Sequence, residues 1–120
     1  MRILSAWVLA LLSTAALADR TTANVDCRST GTDFVYDCSI RLKPARAGVK
    51  LVVGADMPSM PKAHYVKPVV AKQGKPGDYT ARLDLEMPGE WELDLRLSGA
   101  VRQRILVRYE FKESGSAPRK

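Results

Sequence analysis

Met57, Met60 and His64 fall within one short run, Met57-Pro58-Ser59-Met60-Pro61-Lys62-Ala63-His64, and these are the residues whose types and spacing could hold a soft metal ion. Each of the two methionines precedes a proline, which disfavours the α region and predicts extended or polyproline backbone. Residues three apart then return to the same side of the chain, about 9 Å apart at the polyproline rise. Two flexible thioethers can close that gap around one ion, and His64 supplies a third ligand. Thioether and imidazole donors favour Cu(I), and unlike thiolates they persist in an oxidising compartment. The same residues carry a second reading. A Met before Pro at a strand end can fill the mouth of a core, and a lone loop histidine is usually solvated. Met87 joins the ligands only if the fold brings its turn alongside Met57.

The elements that must position this run read as strands. Tyr79, Ala81, Leu83, Leu85 and Met87 alternate with Thr80, Arg82, Asp84 and Glu86, the period of a half-buried strand. After Pro88-Gly89, which suits the centre of a type II turn, Trp91, Leu93, Leu95 and Leu97 alternate with charged residues and form a second strand paired or packed with the first. Residues 104–111 place Ile105, Val107, Tyr109 and Phe111 on one face, with Leu106 breaking the pattern. Further strands are expected over 34–42, 49–53 and 65–71, with turns at Gly31-Thr32-Asp33, Lys43-Pro44 and residues 73–78. Nowhere after the first segment does an apolar helical period persist. Short strands with regular turn signals predict an all-β immunoglobulin-like antiparallel β-sandwich.

The first 18 residues carry one positive charge, an apolar run from Ile3 to Leu12 and the small-x-small sequence Ala16-Leu17-Ala18. That is a signal peptide, with cleavage expected after Ala18, because the run is shorter than the roughly 20 residues a permanent anchor needs. The expected division is a signal peptide over 1–18, one sandwich domain over 19–112, and a flexible tail over 113–120 that has no apolar residue larger than Ala. Export to the periplasm in turn predicts a disulfide between the chain's two cysteines, Cys27 and Cys38. Such a bond stabilises by roughly 2–4 kcal/mol. Eleven-residue spacing matches no standard zinc pattern. The signal holds only Arg2, so 18 Lys and Arg against 13 Asp and Glu leave a mature charge of +5. That balance favours acidic surfaces or lipid headgroups, although the charges are dispersed along the sequence. No basic stripe interleaved with aromatics suggests nucleic acid as a partner.

Asp56-Met57-Pro58-Ser59-Met60-Pro61 and Ala63-His64, then Gly77-Asp78-Tyr79, then Met87-Pro88-Gly89-Glu90-Trp91 resemble the YtkA-like and FixH-like domains, over roughly residues 48–111. The resemblance implies an immunoglobulin-like sandwich on the outer face of a bacterial inner membrane, in proteins often linked to copper-dependent oxidase assembly or heavy-metal efflux. It implies that Met57, Met60 and His64 touch metal, whereas Pro88, Gly89 and Trp91 form a turn and a core position. Two departures stand out: many relatives have a further Met where this chain has Lys62, and FixH-like members carry a true membrane anchor.

With a single histidine, both cysteines bonded and no glycine-rich phosphate loop, the sequence offers no nucleophile and base set for an enzyme. Two functions are therefore expected from different classes. One is a soluble periplasmic protein that binds copper through Met57, Met60 and His64 and passes it to an oxidase-assembly or metal-efflux complex of the inner membrane. The other is a metal-free interaction module that docks on such a complex through the Met-Pro loop or a strand edge. A small ligand held between the sheets is a third expectation, with no distinctive residues behind it.

Overall fold

A computed structural model of the protein describes residues 20–60 and 66–112. The expected signal peptide, His64 and the expected tail lie outside these residues. The elements, in chain order, are β1 (Thr22–Ser29), β2 (Val35–Lys43), β3 (Val49–Asp56), β4 (Val66–Val70), β5 (Lys72–Gln73), β6 (Asp78–Asp84), β7 (Gly89–Gly99) and β8 (Gln103–Phe111).

They form two four-stranded antiparallel sheets in the orders β1-β2-β6-β5 and β4-β3-β7-β8. This is the immunoglobulin sandwich order, extended by one strand on the second sheet. Alternation drives it. Tyr36, Ile40 and Leu42 of β2 and Tyr79, Ala81 and Leu83 of β6 turn inward from one sheet, and Leu51, Val53, Trp91, Leu93, Leu95 and Leu97 meet them from the other, all buried. Each large side chain so buried contributes about 1.5–3 kcal/mol over its exposed state. The two buried tyrosine tips of this sheet are satisfied: the Tyr79 hydroxyl donates to the Val49 carbonyl at 2.6 Å, and the Tyr36 hydroxyl donates to the Lys112 carbonyl. Burial raises the Tyr79 pKa, so this phenol keeps its proton and its donor role.

Several expectations are corrected. The alternating run that begins at Tyr79 stops as a strand at Asp84, because residues 85–88 carry the chain across to the opposite sheet. β6 and β7 therefore pack face to face rather than pair. No type II turn forms at Pro88-Gly89; the chain bends at Glu86 and Met87, and Gly89 has φ 129°, well beyond the roughly 80° such a turn asks of its third residue. The indole N–H of Trp91 donates to the Met87 carbonyl at 3.2 Å, tying the start of β7 back to this corner. In immunoglobulin domains a tyrosine hydroxyl ties the same corner. Leu106 keeps the alternation of β8 by facing outward, half exposed.

The strand expected over 65–71 is present as β4, and a further short strand follows it. β4 pairs with β3, and after Ala71 the chain changes sheets so that β5 pairs with β6. Ala71 makes the step by donating its N–H to the Leu51 carbonyl at 2.9 Å. β1 and β5 were not expected.

Cys27 and Cys38 are bonded, as the sequence predicts, and they stand directly opposite each other in the β1–β2 ladder with Cα atoms 3.9 Å apart. The bond joins neighbouring strands of one sheet, whereas in antibody domains the disulfide bridges the two sheets. Among the described residues no helix is long and apolar enough to cross a membrane.

Candidate functional site

At one end of the sandwich lie the β1–β2 turn, residues 57–60 after β3, residues 85–88 before β7, and Lys112. The Leu85 N–H donates to the Phe34 carbonyl at 2.8 Å, which holds two of these segments together. The methionine run leaves β3 through a local device. The Asp56 carboxylate accepts the Met57 N–H at 2.9 Å, and the Met60 N–H donates to the Met57 carbonyl at 3.0 Å. Met57-Pro58-Ser59-Met60 is thus a closed turn with Pro58 at its second position, where the fixed φ of proline suits it.

The polyproline arrangement expected for this run is therefore corrected. Proline at the second position of a turn and an aspartate poised to accept the next N–H favour closure over extension. The four-residue turn brings the Met57 and Met60 backbones within about 7 Å, nearer than polyproline geometry would. It also gives the two side chains different surroundings. Met57 is 5 % exposed and Met60 39 %.

Met57 packs under the other loop. Its Cε lies 3.3 Å from where a Cβ on Gly89 would stand, so only glycine leaves that room without a shift. The condition for Met87 to join is met at the level of the loops, since the β6–β7 connection runs alongside Met57. Met87 is half-buried against the core, its carbonyl held by Trp91. The three methionines among the described residues accordingly occupy two adjoining loops.

The chemistry of the donors decides which ions fit. Among the described residues no group of three or more His, Cys, Asp or Glu is placed to hold a metal. What the loops offer is thioether sulfur, a soft donor that suits Cu(I) and poorly suits Mg2+, Ca2+ or Zn2+. Among the described residues Met57, Met60 and Met87 are the ones that could offer such donors; His64, expected as the imidazole, lies outside them.

The outer faces of the sheets are built differently. Arg82 grips Asp37 across the β2–β6 ladder at 2.8 and 3.1 Å, and Arg41 bonds Asp78 at 3.0 Å. Hydrogen bonds from Arg82 hold the Asp37 carboxyl below the usual range. On the other sheet Asp94 accepts from Arg104 at 3.0 and 3.1 Å and from Arg96 at 3.2 and 3.3 Å. Partial burial pushes Asp94 up, but the two guanidinium groups outweigh it and leave the carboxyl below its ordinary value. Asp94, one of the outward charges of β7, is the middle of a three-residue ionic cluster with Arg96 and Arg104. The signal was present in the chain: Arg104 follows ten residues later, across a hairpin.

Between the sheets, the gap at the far end, lined by Thr21, Leu42, Val49 and Leu97, leaves essentially 0 Å³ for even a water molecule.

Comparison of the chain with models of known families, with curated proteins and with solved structures finds no match.

Proposed function

We propose that this is an exported periplasmic copper-handling protein of the YtkA-like and FixH-like kind, binding Cu(I) at the methionine end of the sandwich and passing it to an oxidase-assembly or metal-efflux complex. The observation that carries the reading is the seating of Met57 against Gly89, which puts the Met57-Met60 turn and the Met87 corner side by side. Thioethers offered by two adjoining loops would suit a soft monovalent ion, which can enter and leave without proton release. Met60, the more exposed, is the residue through which an incoming ion is first met. The bonded cysteines are withdrawn from ligation.

Titration of the exported protein with Cu(I) against a competing chelator tests the proposal. Met57→Leu with Met60→Leu should weaken binding at least tenfold, and Met87→Leu should weaken it further. Unchanged affinity in the double variant, or wild-type binding no tighter than micromolar, would sink it.

The burial of Met57 favours a second reading, in which the thioether is already committed to packing and the loop makes protein contacts without metal. Recovery of an envelope partner that is indifferent to a copper chelator but lost in His64→Ala would select it.

A further inference from the structure

The fold sorts the charges that the sequence disperses. At the end of the sandwich opposite the methionines meet residues 20–21, where the chain enters the fold, and the connections 43–48, 74–77 and 99–102. Their closeness is fixed by hydrogen bonds: the Leu42 N–H donates to the Gly77 carbonyl at 2.8 Å, and the Ala100 N–H donates to the Gly48 carbonyl at 2.9 Å. Gln103 accepts from the Thr21 N–H at 3.2 Å and donates to its carbonyl at 2.8 Å. These four segments contain Arg20, Lys43, Arg46, Lys75 and Arg102 and not one acidic residue. Among the described residues, Asp78, which follows the 74–77 connection, bonds Arg41; in the sequence Asp19 precedes Arg20. The methionine end carries the reverse balance, with Asp33, Asp56, Asp84 and Glu86 against Lys112 among its described residues.

We infer that the basic end is a docking surface for an anionic phospholipid bilayer. Three features favour a bilayer over an acidic protein. The cations come from four separate segments at one tip, and Arg20, Lys43, Lys75 and Arg102 are exposed, an arrangement that matches a diffuse negative surface better than a stereospecific pocket. Between them lie Pro44, Ala45, Ala47 and Ala100, all exposed and small, so the tip has no large side chain to anchor in a partner's groove or to insert among acyl chains. Finally, Arg20 lies two residues beyond Ala18, where the expected export segment ends, with Asp19 between them, so this tip is the part of the domain nearest the membrane when the chain emerges.

Attraction of this kind is peripheral and screened by salt. Its consequence is orientation. With the basic tip on the lipid, the methionine loops stand off by the length of the sandwich, about 35 Å for the 11 residues of β7.

The test is sedimentation of the exported protein, beginning at Asp19, with vesicles of phosphatidylglycerol and phosphatidylcholine or of phosphatidylcholine alone. Binding is expected only to the anionic vesicles at about 0.01 M salt and should vanish at about 0.5 M. Lys43→Glu, Lys75→Glu and Arg102→Glu together should lower partitioning about a hundredfold or more. Arg28→Glu, Lys67→Glu and Lys112→Glu make the same change in net charge away from the tip and should largely preserve binding. Circular dichroism and the intact Cys27–Cys38 bond check that both variants are folded. Equal binding to neutral vesicles, equal losses in the two triple variants, or no anionic binding at low salt overturns the inference. So does capture by immobilised polyglutamate through the same three residues without vesicle binding, which selects an acidic protein instead.

Discussion

The two lateral edges of the sandwich are closed in different ways. On one side the chain itself passes between sheets, β4 leading through Ala71 into β5, so the sheets are joined covalently and Ala71 adds a hydrogen bond to Leu51. On the other side β1 and β8 belong to different sheets, 82 residues apart, and meet only through side chains. Gln103 pairs with the backbone of Thr21, and the Tyr109 hydroxyl accepts from the Cys27 N–H at 2.8 Å and donates to its carbonyl at 3.3 Å. The shared offset means that β1 and β8 run parallel, with two side chains standing in for a ladder. An open edge strand invites pairing with another chain. Here one side is spanned by the chain itself, and the other is tied by residues that a single substitution can remove.

The largest expected effect comes from releasing β1 from its own sheet. Cys27→Ala with Cys38→Ala should cost about 3 kcal/mol in urea denaturation, and hydrogen exchange should quicken in β1 while β4 and β5 keep their protection. Uniform loss of protection would mean that the two edges are equally coupled to the core, contrary to the comparison.

A smaller effect is expected from Tyr109→Phe, which keeps the ring against Phe111 but leaves the Cys27 N–H and carbonyl to water. The cost should be about 1–2 kcal/mol, with faster exchange at the Cys27 amide as its signature. Stability and exchange both unaltered would show that the hydroxyl does not close the edge.

The smallest concerns the outer face, where Asp94 of β7 holds Arg104 of β8. Because the folded-state pKa of Asp94 is depressed, its contribution is present above the ordinary carboxylate range and is lost as pH falls through the folded value. Asp94→Asn should therefore cost less than about 1 kcal/mol at neutral pH and flatten the acid limb of the urea midpoint against pH below about pH 4. An acid limb as steep as the wild type's would remove Asp94 from the account.

The strands that carry large side chains were legible in the sequence. β2, β6, β7 and β8 alternate Tyr, Leu, Ile or Trp with charges, and the pleat turns that alternation into an inner and an outer face. β1 was not legible, since its inward residues are only Ala23, Val25 and Cys27 and its edge is held by distant side chains. β5, at two residues, is too short to show a period. Pairing across the Pro88-Gly89 corner was left open because alternation fixes a strand's faces but not its sheet. For the site, the sequence brought Met57 and Met60 together but not their unequal burial. That inequality depends on Gly89, more than 25 residues further along the chain. The basic tip escaped notice for the same reason, its cations being scattered from residue 20 to residue 102.

Trp91 is the one tryptophan among the described residues, fully buried, with its indole suspended from the Met87 carbonyl. The domain thus contains its own optical gauge. Native emission should be that of a dry indole, shifting to the red when the sheets part, and anything that pulls on the Met87 corner tugs the same ring. Unfolding and events at the methionine loops can then be followed in one fluorescence trace, with no label added.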